Sequence, residues 1–439
     1  MQRIRSGLYA GLLRLVQVEP HETRALLWSF SYFFVLLCSY YILRPMRDEM
    51  GILGGVEHLQ WLFTGTLAAM LAAVPVFGWI SARFPRQQFL PYVYFFFIVC
   101  LLTFYSLIGG DVAPVYVARA FFVWASVFNL FVVSVFWSFM TDLFDNRQAR
   151  RLFGFIAAGG SVGALTGPAL TTLLAQPLGP RNLLLVSALL LSWAIVCIAR
   201  LSRWSYQTQA TDSGRGHGSD RPIGGSIWAG VQMAVRSPYL LGICLLMLLF
   251  TMLATFLYFM QAQIVRDAFS DSAQRTTVFA AIDLAVNSLT IVMQVLVTSR
   301  LIRWFGLAAV LALVPVLLAI GFGVLGMAPV LSVLVVVQVI RRAGNYAITR
   351  PAREMLYVVL SREEKYKAKN FIDTAVYRTG DAISAWLYAG MKGLGLGIGA
   401  IAWIATPLAL VWAWIAFGLG RQQAALVTES GSTAGGDNE

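Results

Sequence analysis

Residues 202–226, SRWSYQTQATDSGRGHGSDRPIGGS, separate two long apolar tracts of a 439-residue chain. The stretch is polar, rich in Gly and Ser, and has too little apolar content to pack, so it reads as a flexible linker between two halves. Working outward toward the amino terminus, apolar runs occupy approximately 182–201, 152–175, 114–140, 89–108, 59–80 and 25–43. Toward the carboxyl terminus they occupy approximately 238–260, 277–298, 306–326, 329–349, 371–391 and 398–418. A hydrocarbon core of about 30 Å needs roughly 20 apolar helical residues, and backbone groups in lipid must bond internally, so each run is expected to be a membrane-spanning helix. With 58% hydrophobic residues, 12% charged residues and a mean hydropathy of +0.71, the composition excludes a soluble protein. The expected fold class is an all-α membrane protein with twelve transmembrane helices in two pseudo-symmetric six-helix bundles.

The basic residues fall into alternate gaps. Of 33 Lys and Arg residues, 23 lie in the amino-terminal segment, the even-numbered gaps and the tail. Seven lie opposite, namely Arg44, Arg47, Arg119, Arg181, Arg266, Arg275 and Lys392, and three, Arg341, Arg342 and Arg378, fall inside spans. Positive residues in short loops are retained in the cytoplasm, which orients both termini inward and makes a bacterial inner (plasma) membrane the expected location. The net charge of +12 is then explained by topology and attraction to anionic membrane lipids, with no call for nucleic acid.

The segment 1–18, with Arg14 interrupting its apolar part, reads as an interfacial helix rather than a signal peptide. The expected layout is a cytoplasmic interfacial segment (1–24), an amino-terminal bundle (25–201), a cytoplasmic linker (202–236), a carboxyl-terminal bundle (237–420) and a disordered cytoplasmic tail (421–439). Cys38, Cys100, Cys197 and Cys244 lie within spans without metal-ligand spacing, and His21, His58 and His217 are far apart in topology. No metal, cofactor, disulfide or catalytic constellation is expected, and a monomer suffices.

The halves echo one another. Arg83-Phe-Pro-Arg86 after the second span matches Arg300-Leu-Ile-Arg303 after the eighth. At nearly the same interval, Ala149-Arg150-Arg151-Leu152-Phe153 before the fifth matches Ala368-Lys369-Asn370-Phe371-Ile372 before the eleventh. Two parallel six-helix repeats with a long central loop resemble the major facilitator architecture, which implies a substrate site between the halves near the midplane. Gly78-Trp-Ile-Ser-Ala82-Arg83-Phe-Pro85-Arg86 resembles that superfamily's loop motif, with Ala82 in place of its usual Asp and Pro85 in place of its usual Gly.

Three charged clusters stand out: Tyr41-Ile-Leu-Arg44-Pro45-Met-Arg47-Asp48-Glu49; Thr141 through Arg151; and Arg350-Pro-Ala-Arg353-Glu354-Met-Leu-Tyr, continuing through Lys365, Lys367 and Lys369 to Asp373, Arg378 and Asp381. Together they resemble the nucleotide transporters of the ATP/ADP translocase type, over nearly the whole chain and most specifically from Pro351 to Asp373. The resemblance implies a nucleotide as substrate. Arg47 stands where that family has Lys, Gln148 where it has Glu, and Asp381 where it has Lys after Gly380. The first change keeps a charge; the other two alter the positive field on which phosphate recognition depends.

Read physically, Arg44 and Arg47 are positioned to attract an anion at the outer end of the first span, with Asp48 and Glu49 closing the mouth through ion pairs. Local i, i+4 pairing of Arg44 with Asp48 is the alternative. Ionisable groups inside spans are costly and functional by default. Arg341, Arg342, Arg378 and Asp381 are therefore candidate substrate contacts with Arg44 and Arg47, while Asp283 and Asp373 are candidates for proton or ion coupling. Arg150, Arg151, Arg353, Glu354, Lys365, Lys367 and Lys369 are candidates for a cytoplasmic gate. Gly159-Gly160-Ser161-Val-Gly163-Ala-Leu-Thr-Gly167 lacks the Gly-Lys-Ser/Thr end of a phosphate loop, and its small-residue spacing favours close helix packing. The expected function is secondary active transport by alternating access of an anionic small solute. The rival readings are a non-transporting sensor or scaffold and a lipid or lysolipid flippase.

Overall fold

Long apolar runs leave the backbone no partners but its own, and the computed structural model forms helices from them. It describes residues 18–19, 21–83, 86–110, 113–211, 237–361, 368–369 and 371–435. The helices are α1 (Thr23–Leu53), α2 (Leu59–Arg83), α3 (Arg86–Ile108), α4 (Pro114–Leu143), α5 (Asn146–Leu178), α6 (Pro180–Thr211), α7 (Pro238–Ala268), α8 (Ser272–Leu296), α9 (Thr298–Met327), α10 (Leu331–Gly344), α11 (Arg350–Leu356), α12 (Tyr377–Gly393) and α13 (Ile398–Gly435). Among the described residues, eleven helical stretches are long and apolar enough to cross a membrane. The eleventh of the expected spans, 371–391, is divided into a π-helical turn, Ile372–Val376, and the 17-residue α12. A second π-helical turn, Asn345–Thr349, joins α10 to α11 within the tenth span. Such wide turns are rare and concentrate at functional sites.

Two boundaries move. Helix α6 continues to Thr211, so the first residues of the expected linker are helical. Helix α13 continues to Gly435, and the segment from 421 is helical where disorder was expected. Arg421 through Leu426 are all good helix formers, with no Gly or Pro until Gly431. The amino-terminal interfacial segment up to residue 17, most of the linker, and Lys365 and Lys367 lie outside the described residues.

The chain forms two compact units. One comprises residues 1–54, 68–219 and 271–284; the other comprises 55–67, 220–270 and 285–439. Each unit therefore contains one short stretch from the opposite half of the sequence, and the two stretches, 55–67 and 271–284, are spaced at close to the interval of the internal repeat.

In the first unit α1 is the central element, packed against α4, α5 and α6. The glycine stripe of α5 accounts for the closeness of α1: a Cβ at Gly163 would collide with the Phe34 carbonyl oxygen, and one at Gly167 would lie 2.7 Å from that of Cys38. The stripe is thus a packing seam, as its spacing implied. Behind it, Tyr32 packs edge-on to Phe136 and shares a 2.6 Å hydroxyl contact with Tyr94, which satisfies two buried phenols at once. In the second unit α9 packs on α13, and α7 on α12. Helix α9 breaks at Gly306, whose φ of 73° only glycine adopts readily, just after the repeated Arg300–Arg303 segment.

Candidate functional site

At the end of α1 four charged residues follow an apolar run, and burial forces each to find a partner. Arg44 Nη1 lies 3.6 Å from Asp283 on α8. Asp48 receives Arg47 Nη2 at 2.8 Å, and the Arg47 guanidinium sits 4.9 Å from the Phe122 ring. Glu49 is fully buried, and both its oxygens are held: Arg275 Nε donates to Oε2 and Nη2 to Oε1, each at 2.7 Å. This two-pronged geometry is the strong form of a carboxylate pair. Sequence reading counted Arg275 only as a loop cation and missed its role.

A related pair lies at the end of α7. Arg266 Nη1 donates to Glu57 at 2.5 Å, and its Nε donates to Asp267 at 3.0 Å. The step along the chain from Glu49 to Arg266, like that from Glu57 to Arg275, matches the repeat interval, so the internal repeat relates the two pairs with their charges exchanged. Each pair joins a helix end in one sequence half to a helix start in the other. The repeat interval was the signal that could have located both.

The intramembrane candidates on α10 and α12 converge. Arg341 donates through Nε and Nη2 to Gln338 Oε1 at 3.0 and 2.8 Å, and Gln338 Nε2 donates in turn to Gln261 Oε1 on α7. A neutral relay thus fixes the Arg341 guanidinium. Arg342, next in the chain, is buried. Arg378 Nη1 lies 3.8 Å from Asp381, one turn along α12, and its guanidinium lies 5.3 Å from the Tyr377 ring. Tyr377, beside Arg378, lies within electrostatic range of Asp381, Arg341 and Tyr346, which groups these side chains near the two π-helical turns. Gly380 permits the approach of α12 to α7, because a Cβ there would collide with Thr251 Oγ1.

The expected gate residues form separate clusters. Arg353 is buried and pairs with Asp373 at 3.4 Å, while its Nη1 meets Met247 Sδ at 2.9 Å. Asp373, a coupling candidate, is therefore engaged by a guanidinium. Lys369 Nζ donates to Glu354 at 2.5 Å. Burial, with the Asp373 charge beside it, pushes the Tyr357 phenol well above its ordinary value and keeps it neutral. In the other unit, Arg151 donates to the buried Glu22 at 2.9 Å, and Gln148 Nε2 donates to the same oxygen at 2.9 Å. Arg150 is exposed. All of these pairs stay within one sequence half. Glu19, His21 and Glu22 bring three possible metal ligands together, but Arg151 already engages both carboxylates.

No curated protein sequence matches the chain. Among solved structures it is similar to the POT family transporter PepTSo (13% identity, TM-score 0.63, covering 92% of this chain and 98% of that one). It is also similar to a bacterial homologue of the iron transporter ferroportin in an inward-facing state (13%, 0.63, 91% and 98%). A third likeness is to the nucleoside transporter NupG (11%, 0.56, 92% and 99%). At these identities the likeness is one of fold. Residues 26–362 match the family model of the Major Facilitator Superfamily, which spans more than half of the chain. This multi-pass membrane protein belongs to the Major Facilitator Superfamily and has the architecture of its secondary transporters.

Proposed function

We propose that the protein carries a small anionic solute across a bacterial inner membrane by alternating access, with both termini in the cytoplasm and a nucleotide as the first candidate solute. The observation that carries this reading is the polar cluster of Arg341, Arg378, Asp381, Tyr346 and Tyr377, in which the Gln338–Gln261 relay holds Arg341 through neutral groups. An oriented guanidinium is suited to phosphate or carboxylate, and in this reading the Tyr346 and Tyr377 phenols supply donors for the rest of the anion. The charged segments shared with ATP/ADP translocase-type transporters favour a nucleotide within that class. In the proposed cycle, Arg44 and Arg47 attract the solute, the α10 and α12 arginines hold it, and the pairs around Arg353 and Lys369 rearrange as the opposite mouth closes.

The test is uptake of labelled ATP into proteoliposomes of the purified chain, with and without internal ADP. Saturable uptake stimulated by internal ADP is expected for nucleotide exchange. A folded protein that shows no uptake of ATP or of other anionic metabolites overturns the anionic reading.

A second reading, lipid or lysolipid transport, is favoured by a groove of about 390 Å³ between α9 and α10. Leu317, Ile320, Val324, Val336 and Ile340 line it, and Arg341 lies among them. An acyl chain fits such a wall, and its anionic head fits Arg341. Competition of uptake by lysophosphatidylglycerol, with none by ATP, would select this reading.

A further inference from the structure

Cations are scarce on the side opposite the basic loops, so each one there calls for a local reason. Six of the seven have an evident one. Arg44 faces Asp283, Arg47 holds Asp48, Arg266 holds Glu57 and Asp267, and Arg275 holds Glu49. Arg119 donates to the Gly54 carbonyl at 2.8 Å, and Arg181 donates to that of Tyr105 at 2.8 Å. The seventh, Lys392, makes no ion pair with any described residue. It lines a cavity of about 400 Å³ instead.

We propose that this cavity binds a small organic monocarboxylate with an apolar body, and that Lys392 is its counter-ion. The volume falls in the range of small-molecule sites. Its polar lining is Glu57, Gln60, Gln263, Arg266, Tyr388 and Lys392, and Val56 and Phe259 form an apolar wall. Gln60 and Gln263 are both buried, and Gln263 lies beside the buried Tyr388 hydroxyl, so amide donors line the opening. Phe259 is fixed edge-on between Phe63 and Tyr388 at ring distances of 5.3 and 5.1 Å, which gives a rigid surface for a flat apolar body. Arg266 is occupied by two carboxylates, and the charge left to recruit an anion is that of Lys392. A single carboxylate complements it; a trianion would meet Glu57. The site is distinct from the Arg341 cluster and does not depend on which solute is transported.

The test uses the purified full chain in detergent and 4-fluorobenzoate as probe, read by fluorine NMR line broadening. Saturable broadening, displaced by unlabelled benzoate, is expected for the native protein. Loss of a charge-assisted contact in Lys392→Gln should weaken it by about ten-fold or more, while Lys392→Arg retains it. Lys392 is exposed at a helix end, so both variants should fold, and an unchanged melting temperature checks this. Gln263→Leu should weaken the probe as well, and Arg341→Gln should leave it bound. No saturable broadening by the folded native protein overturns the proposal. So does broadening that Lys392→Gln leaves unchanged, or that Arg341→Gln abolishes.

Discussion

Gln148 performs two tasks that no acid could combine. Its side-chain oxygen accepts from the Asp145 backbone N–H at 3.1 Å in a capping box, while its side-chain nitrogen donates to the buried Glu22 at 2.9 Å. A glutamate at 148 would keep the cap and set a second carboxylate against Glu22, whose cationic partner among the described residues is Arg151. Gln148→Glu is therefore expected to destabilise the protein by about 1–3 kcal/mol, more than the ~1 kcal/mol that Gln148→Ala loses with the cap. Thermal unfolding of the two variants checks the order; equal melting temperatures would remove the Glu22 contact from the account. The same side chain marks how far sequence carries at this scale. An apolar run announces that Arg44, Glu49 and Asp283 need partners, because burial without one is costly. Which partner each finds depends on contacts between opposite halves of the sequence, as in Arg44 with Asp283 and Glu49 with Arg275. Local spacing could offer only Asp48 to Arg44. Arg378 belongs to the proposed solute site: Arg378→Ala, with membrane expression preserved, should abolish uptake, and normal uptake by that variant would remove it from the site.

Helix ends carry the two repeat-related ion pairs, and burial separates them in strength. The Glu49 side chain is 0% exposed and that of Arg275 is 9%, whereas those of Glu57 and Arg266 are 70% and 38%. Removing one partner of a buried pair strands a charge and costs about 3–5 kcal/mol, while an exposed pair contributes about 0–1 kcal/mol. Glu49→Gln should thus lower stability in denaturant titrations by several-fold more than Glu57→Gln. A double-mutant cycle over Glu49 and Arg275 should show strong coupling, and a cycle over Glu57 and Arg266 little. Similar coupling in both would mean that solvent screens them alike, contrary to their exposure. The helices themselves were legible from apolar length alone, but the interruptions at 345–349 and 372–376 were not. A π-turn changes neither hydropathy nor composition, and Asn345 through Thr349 carry no Gly or Pro to announce it.

Over the whole chain, the repeat and the family match agree on a doubled helical architecture. The number of spans and their doubling were readable because lipid enforces helix length and because the charged motifs at Arg83 and Ala149 recur at Arg300 and Ala368. The exchange of residues 55–67 and 271–284 between the compact units was not readable, since it is made by tertiary contacts. Both exchanged stretches carry one member of a repeat-related pair, Glu57 and Arg275, each bonded within its own unit. If Glu49 and Arg275 act as a latch in the alternating-access cycle proposed above, the state with that end open is disfavoured by whatever the pair contributes. Loss of about 3 kcal/mol changes such an equilibrium by roughly 100-fold. With Cys38, Cys100, Cys197 and Cys244 replaced, a single cysteine placed at Asn287 on α8, which is buried, should react slowly with an impermeant maleimide added from the Glu49 side. Adding Glu49→Gln should accelerate labelling by tens of fold, and adding Glu57→Gln should change it little. Equal acceleration by both would make the pairs a joint latch, whereas no acceleration by Glu49→Gln would leave its ion pair a stabilising contact with no part in access.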